Sequence, residues 1–191
     1  MNSKKLLIST FMLVALVQVY VPAKMILDQE KVLATGKEFK FKTAPVDPYD
    51  PFRGKYITLN FAGNTVKILK NENWLPGETA YVSVITDQAG FASIKAISKK
   101  EPATTEAYFK TTVRYVTEDK PQQAVIDFPF DRYYMEESKA ADAEKLYQQL
   151  QNDTTQITYA LVSIKNGSAV LKDVLVGETP IRELVKANPK K

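Results

Sequence analysis

Hydrophobic and polar positions follow two regimes along this chain. From Leu6 to Val21, "LLISTFMLVALVQVYV", apolar residues run almost unbroken, with Ser9, Thr10 and Gln18 as the polar members. From residue 37 the pattern moves in steps of two. In "KEFKFKT" (37–43) Phe39 and Phe41 share one face, and Glu38, Lys40 and Lys42 share the other. That is the period of a half-buried strand. "KYITLNF" (55–61) sets Ile57, Leu59 and Phe61 opposite Tyr56, Thr58 and Asn60, and "TVKILK" follows across Gly63-Asn64, which predicts a hairpin. Runs at 79–86 and 91–97 flank Asp87-Gln88-Ala89-Gly90, and runs at 107–117 and 123–128 flank a Lys120-Pro121 break. The last pair, 157–164 and 169–176, flanks Lys165-Asn166-Gly167-Ser168. Asn-Gly between β-branched runs is a hairpin signal because both central turn residues need positive φ.

Two segments carry helical spacing instead. "MEESKAADAEKLYQQLQ" (135–151) lines up Ala140, Ala143, Tyr147 and Leu150, with Leu146 beside them, and contains neither Gly nor Pro. Glu136 and Glu137 in its first turn suit the positive end of the helix dipole. In "TPIRELVKA" (179–187) Thr179 is placed as N-cap and Pro180 at the first helical position. The pattern contains no internal repeat. It predicts a mainly β (α+β) fold: an antiparallel sheet curled into a barrel or small sandwich, with one packed helix, preceded by an N-terminal transmembrane helix. Residues 1–27 form the membrane segment and 28–191 the β domain.

The apolar run follows Lys4-Lys5, the order of a signal peptide or signal-anchor. A full span needs about 20 residues, and Met25, Ile26 and Leu27 can extend the run past Pro22, with Lys24 at the interface. The competing reading is cleavage after Val21-Pro22-Ala23, which would release a secreted domain. As an anchor the segment makes this a single-pass protein of the cytoplasmic membrane, held through residues 4–27. Lys4 and Lys5 then lie on the cytoplasmic side and the rest of the chain outside.

Composition narrows the chemistry. The 191 residues include no Cys and no His. Disulfides, thiol nucleophiles, the usual zinc sites and the Ser-His-Asp triad are therefore excluded. The net charge of +4 is thinly spread: residues 1–95 hold 12 Lys/Arg and 8 Asp/Glu, and residues 96–191 hold 14 of each. Nucleic-acid binding calls for a dense basic face, and this is not one. No cofactor or metal is expected.

Three stretches could still carry function. Asp47 and Asp50, each before a proline, could approach a hard cation, but two carboxylates fall short of a calcium shell, and capping of stiff turns accounts for them. In Arg53-Gly54-Lys55-Tyr56, Gly54 can turn the chain hard into a strand, and Tyr56 falls on the face opposite Ile57, Leu59 and Phe61. If those three face the core, Tyr56 beside Arg53 and Lys55 is either a ligand contact or a packed sheet tyrosine. "DFPFDRYYMEE" (127–137) mixes aromatic residues with Asp127, Asp131, Arg132, Tyr133, Glu136 and Glu137. Two of its carboxylates could work as a glycosidase-like acid/base pair; the other reading is a strand-to-helix corner.

Residues 45–61, "PVDPYDPFRGKYITLNF", resemble the segment that names the GDYXXLXY domain proteins. Gly54, Tyr56 and Leu59 match the pattern's Gly, Tyr and Leu; its Asp is Lys55 here and its last Tyr is Phe61. The resemblance implies a bacterial protein with one N-terminal membrane segment and an extracytoplasmic domain, often encoded beside multi-pass membrane proteins. It implies no catalytic residue. The expectation is a membrane-anchored binding or interaction module, with a multi-pass membrane protein or an envelope ligand as partner. The alternative is an envelope hydrolase using the carboxylates near 127–137.

Overall fold

The structure, a computed structural model, describes residues 3–44, 56–68, 72–103, 105–118, 121–136, 139–140, 143, 145–147 and 157–187. Helix α1 (Ser3–Thr35) comes first. Among the described residues twelve strands follow: β1 (Lys37–Ala44), β2 (Tyr56–Thr58), β3 (Asn60–Phe61), β4 (Thr65–Lys67), β5 (Thr79–Thr86), β6 (Ala92–Ser98), β7 (Tyr108–Val116), β8 (Gln123–Ile126), β9 (Arg132–Tyr134), β10 (Thr158–Lys165), β11 (Ser168–Val176) and β12 (Thr179–Pro180). A C-terminal helix (Ile181–Ala187) closes the described chain.

The strands form two five-stranded antiparallel sheets, β12-β11-β10-β1-β3 and β4-β8-β7-β5-β6, and a two-stranded ribbon, β2-β9. β7 packs on β10 and β11, β1 meets β6, and the outer strands β4 and β6 of the second sheet approach each other. At one corner Lys110 N–H donates to the Gly167 carbonyl (2.8 Å), joining β7 to the β10–β11 turn. The result is a curled, nearly closed β barrel-like body, as the alternation predicts.

Its centre is aromatic. Phe41 on β1, Phe61 on β3, Phe109 on β7, and Phe128 and Phe130 on the connection from β8 to β9 are all buried. Ring centroids lie 5.0 Å apart for Phe41–Phe130, 4.8 Å for Phe61–Phe128 and 5.5 Å for Phe109–Phe130. Most pairs are tilted or edge-on, the arrangement the ring quadrupole favours. Both sheets and the ribbon connection thus contribute to one cluster.

Two of the three expected hairpins form, β5–β6 and β10–β11, and the runs that flank the Lys120-Pro121 break pair as well, β7 with β8. Asn166 and Gly167 both take positive φ (48° and 80°), as a two-residue turn requires. The expected hairpin between 55–61 and "TVKILK" does not form. Gly63 does turn, with φ of 83°, but β3 pairs with β1 while β4 pairs with β8. The run 55–61 itself breaks at Leu59, whose N–H donates to the Asp131 carbonyl (2.8 Å), and β2 goes to β9. Side-chain alternation is kept, with Ile57, Leu59 and Phe61 all buried; backbone pairing is divided between two sheets.

Helical residues occur at 139–140, 143 and 145–147, with Ala140, Ala143 and Tyr147 buried as expected; Leu150 lies outside the described residues. At the C-terminus, Thr179 and Pro180 pair with β11 rather than starting the helix, because the chain folds back at Gly177. The helix begins at Ile181, a shift within the usual spread of helix boundaries.

Helix α1 passes through Pro22 and is long and apolar enough to cross a membrane. Its large apolar side chains from Leu6 to Leu27 are not covered by the barrel. It continues without interruption to Thr35, and its last turn docks on the barrel: Val32 is buried, and Lys165 Nζ donates to Thr35 Oγ1 (2.6 Å). Gly36 makes the junction possible. Its N–H donates to the Val32 carbonyl (2.8 Å), and a Cβ there would fall 2.5 Å from that oxygen and 3.2 Å from the Ile164 backbone.

Two substitutions test this arrangement. Phe41→Ala should cost about 3–5 kcal/mol in denaturant unfolding of the full chain in detergent. Gly36→Ala should raise hydrogen exchange at 32–37 and 163–165 while leaving the Phe109 region protected. Uniform loss of protection across the chain would mean that the junction is not a separate contact.

Candidate functional site

The ribbon brings together two stretches that are far apart in sequence. Tyr56 pairs with Tyr134, Ile57 with Tyr133 and Thr58 with Arg132. Strand geometry sends alternate side chains to opposite faces. Inward go Ile57, fully buried, and Tyr133, with Leu59 just beyond them. Outward go Tyr56, Arg132 and Tyr134, the last 65% exposed.

The outward residues form one cluster. The Tyr56 and Tyr134 rings lie 5.4 Å apart at 56°, and the Arg132 guanidinium sits 5.2 Å from the Tyr56 centroid. Arg132 also donates to the Tyr134 hydroxyl; that bond, then Tyr56 and Asp131, raise its pKa above the ordinary arginine value. Asp131 is a looser neighbour, 3.9 Å away and half exposed. A guanidinium flanked by two aromatic rings offers a planar cation, hydroxyl groups and apolar ring surface in one patch.

The inward side is fastened by a polar lock. Tyr133 O–H donates to Asp173 Oδ1 (2.8 Å), which also accepts the Val174 N–H (2.9 Å), and Arg182 of the C-terminal helix pairs with Asp173 Oδ2. Asp173 is buried and stands across from Leu161, directly after an irregularity in the β10–β11 pairing. Burial first, and then the bond to Asp173, push the Tyr133 hydroxyl well above the usual tyrosine range. The Asp173 carboxylate raises the Arg182 pKa. Ribbon, first sheet and C-terminal helix therefore meet at one carboxylate.

The residues singled out from sequence are thus placed. Tyr56 and Arg132 come together on the outer face; Tyr133 and Leu59 are core; Asp131 flanks the cluster. Asp127 is committed to Arg114 (2.5 Å), and Glu136 pairs with Lys139. Asp47, Asp50, Arg53, Gly54, Lys55 and Glu137 lie outside the described residues. Sequence reading gave no role to Asp173 or Arg182. The available signal was a lone carboxylate inside the apolar run "AVLKDVLV", with an arginine nine residues on.

A curled β body carried on a long apolar helix, with an aromatic-cationic ribbon as its most distinctive surface, defines a helix-tethered β module. The chain belongs to the GDYXXLXY protein family, whose sequence profile matches residues 18–174. Comparison with curated proteins and with solved structures yields no match. The family pattern acquires a physical meaning here: Leu59 and Phe61 are core positions, and Tyr56 faces out.

Tyr133→Phe should lower stability by about 1–3 kcal/mol near neutral pH, as expected for loss of a bond to a buried carboxylate. The Tyr133 pKa is raised on folding, so the hydroxyl's contribution is complete below the ordinary tyrosine value of about 10 and lost as pH rises beyond it. The gap between wild type and Tyr133→Phe should therefore narrow above about pH 10 in urea titrations. A gap that widens there would contradict the lock.

Proposed function

We propose that this protein is a single-pass, membrane-anchored extracytoplasmic binding module. Its contact surface is the outer face of the β2–β9 ribbon, and its partner is a membrane protein or an envelope ligand. The observation that carries the proposal is the Tyr56–Arg132–Tyr134 cluster. Three side chains of the kinds that dominate interface energetics sit side by side, with Tyr134 largely in water. Their backbone is held from behind by Ile57, Tyr133 and the Asp173 lock, so binding would order little that is not already ordered.

The ribbon also lies away from the anchor. β1 begins two residues after the helix and runs about 23 Å before its far end pairs with β3, next to β2. A partner could reach the ribbon without displacing the helix.

The topology has its own check. N-terminal sequencing of membrane-extracted protein should return a chain retaining Lys4-Lys5; a mature chain starting at Lys24 would overturn the anchor. For the surface, cross-linked membranes carrying the full chain should lose partner recovery by tenfold or more with Arg132→Ala or Tyr134→Ala, the scale of a hot-spot truncation of about 1.4 kcal/mol or above. Glu178→Ala, on the exposed β11–β12 turn, serves as control. Unchanged recovery in both ribbon variants would remove the ribbon from the interface.

A further inference from the structure

A second concavity, of about 460 Å³, opens beside the exit of α1 and is separate from the ribbon. Cations line part of its wall: Lys37, the second residue after the helix, and Lys165, whose Nζ bonds the helix's last residue. Neither has a carboxylate at ion-pair distance among the described residues; Lys37 rests over the Phe39 ring, 5.3 Å from its centroid. Acids line another part, and they are differently committed. Glu106 is neutralised by Lys95 (2.6 Å) and accepts from Ser83 (3.2 Å). Glu101 has no cation partner among the described residues and accepts only the Tyr108 hydroxyl, a bond that helps push Tyr108 up to about 12. The pocket therefore offers two ammonium groups and one carboxylate that have no ion-pair partner among the described residues, with Asn166 of the hairpin turn also on its wall.

Position narrows the ligand. The apolar stretch of α1 ends at Leu27, and Thr35 lies eight residues, about 12 Å, further along the axis. The headgroup layer occupies about 5–8 Å beyond the hydrocarbon, and an average tilt of about 20° lowers one side of the domain towards it. Lysine stems can cover the remaining gap while keeping their charge in the polar layer. The exit also carries Glu30 on the helix beside Lys31, and Asp28 is already paired with Lys24 (2.5 Å). Net charge at this end is thus small, and bulk attraction to an anionic surface is a poor explanation of the pocket. A ligand bearing both signs matches it better.

We propose that this pocket receives the headgroup of an amine-bearing zwitterionic phospholipid, with the phosphate on Lys37 and Lys165 and the primary ammonium on Glu101. The carboxylate accepts N–H bonds that a phosphoethanolamine group can donate and a quaternary choline cannot. Binding would dock the base of the barrel on the bilayer and fix the orientation of the ribbon at the other end of β1. This inference rests on α1 being an uncleaved anchor.

The chain has no cysteine, so a single Ser168→Cys on the exposed hairpin next to Lys165 carries an environment-sensitive fluorophore as the only labelled site. The full chain would be placed in nanodiscs of phosphatidylcholine alone, or with added phosphatidylethanolamine or phosphatidylglycerol. A saturable emission shift is expected with phosphatidylethanolamine only. The fraction of that lipid giving half the shift should rise about fivefold in Lys37→Gln and in Lys165→Gln. Glu101→Gln should abolish the preference for ethanolamine over choline, and Glu101→Asp should restore part of it. Thermal melting of each variant reports folding separately. An equal shift with phosphatidylglycerol, or unchanged half-points in folded variants, would overturn the headgroup site alone. Failure of the wild-type chain to co-elute with the discs would overturn the anchor, and this site with it.

Discussion

The phenylalanine cluster is the contact on which the rest of this structure depends. Phe41 stands within 5.0–6.4 Å of Phe61, Phe109, Phe128 and Phe130. It therefore connects both sheets with the connection that carries the chain from β8 into β9. Phenylalanine is among the largest apolar side chains a core can bury, and the tilted and edge-on geometry of these five restricts how the sheets can slide. Phe128 and Phe130 flank Pro129, so both are drawn inward from a short, stiff segment. Asp131 and β9 follow at once, and their place is set by that anchorage.

From this follows the division of labour within the family pattern. Leu59 and Phe61 are drawn into the core, and Leu59 hands its N–H to Asp131 rather than continuing a regular hairpin. With Ile57 and Tyr133 held inside, alternation leaves Tyr56, Arg132 and Tyr134 on the outside. The exposed cluster is thus a consequence of the buried one. Two segments about 75 residues apart in sequence become one surface because their inward neighbours share a core.

Much of this was legible in the alternation. Phe39 and Phe41 inward, the Asn166-Gly167 turn, the buried Ala140–Ala143–Tyr147 stripe and the exposed apolar helix all follow from local pattern. Choice of strand partner was not legible: Gly63-Asn64 makes a turn, but the strands on either side find non-local partners that bury Phe61 and Val66 in different sheets. Local turn chemistry fixes a reversal, not the pairing. The Asp173 lock was hidden for a similar reason. An irregularity in the β10–β11 pairing just before Asp173 breaks the alternation there, and its partners come from β9 and the C-terminal helix. Tyr56 and Arg132 could be suspected separately; their contact could not be read from sequence.

At the opposite end of β1, Gly36 lets the helix run directly into the barrel with no linker between them. As the anchor proposed above, α1 would hold the ribbon at a fixed place relative to the bilayer, which the proposed contact with a membrane-resident partner would use. The most direct test of that account is site-specific photo-cross-linking in intact membranes, with p-benzoylphenylalanine placed at 56, 134, 168 or 178 in the full chain. Adducts of one discrete mass are predicted from 56 and 134 and none from 168 or 178. No adduct from 56 and 134, or the same adducts from all four positions, would contradict it.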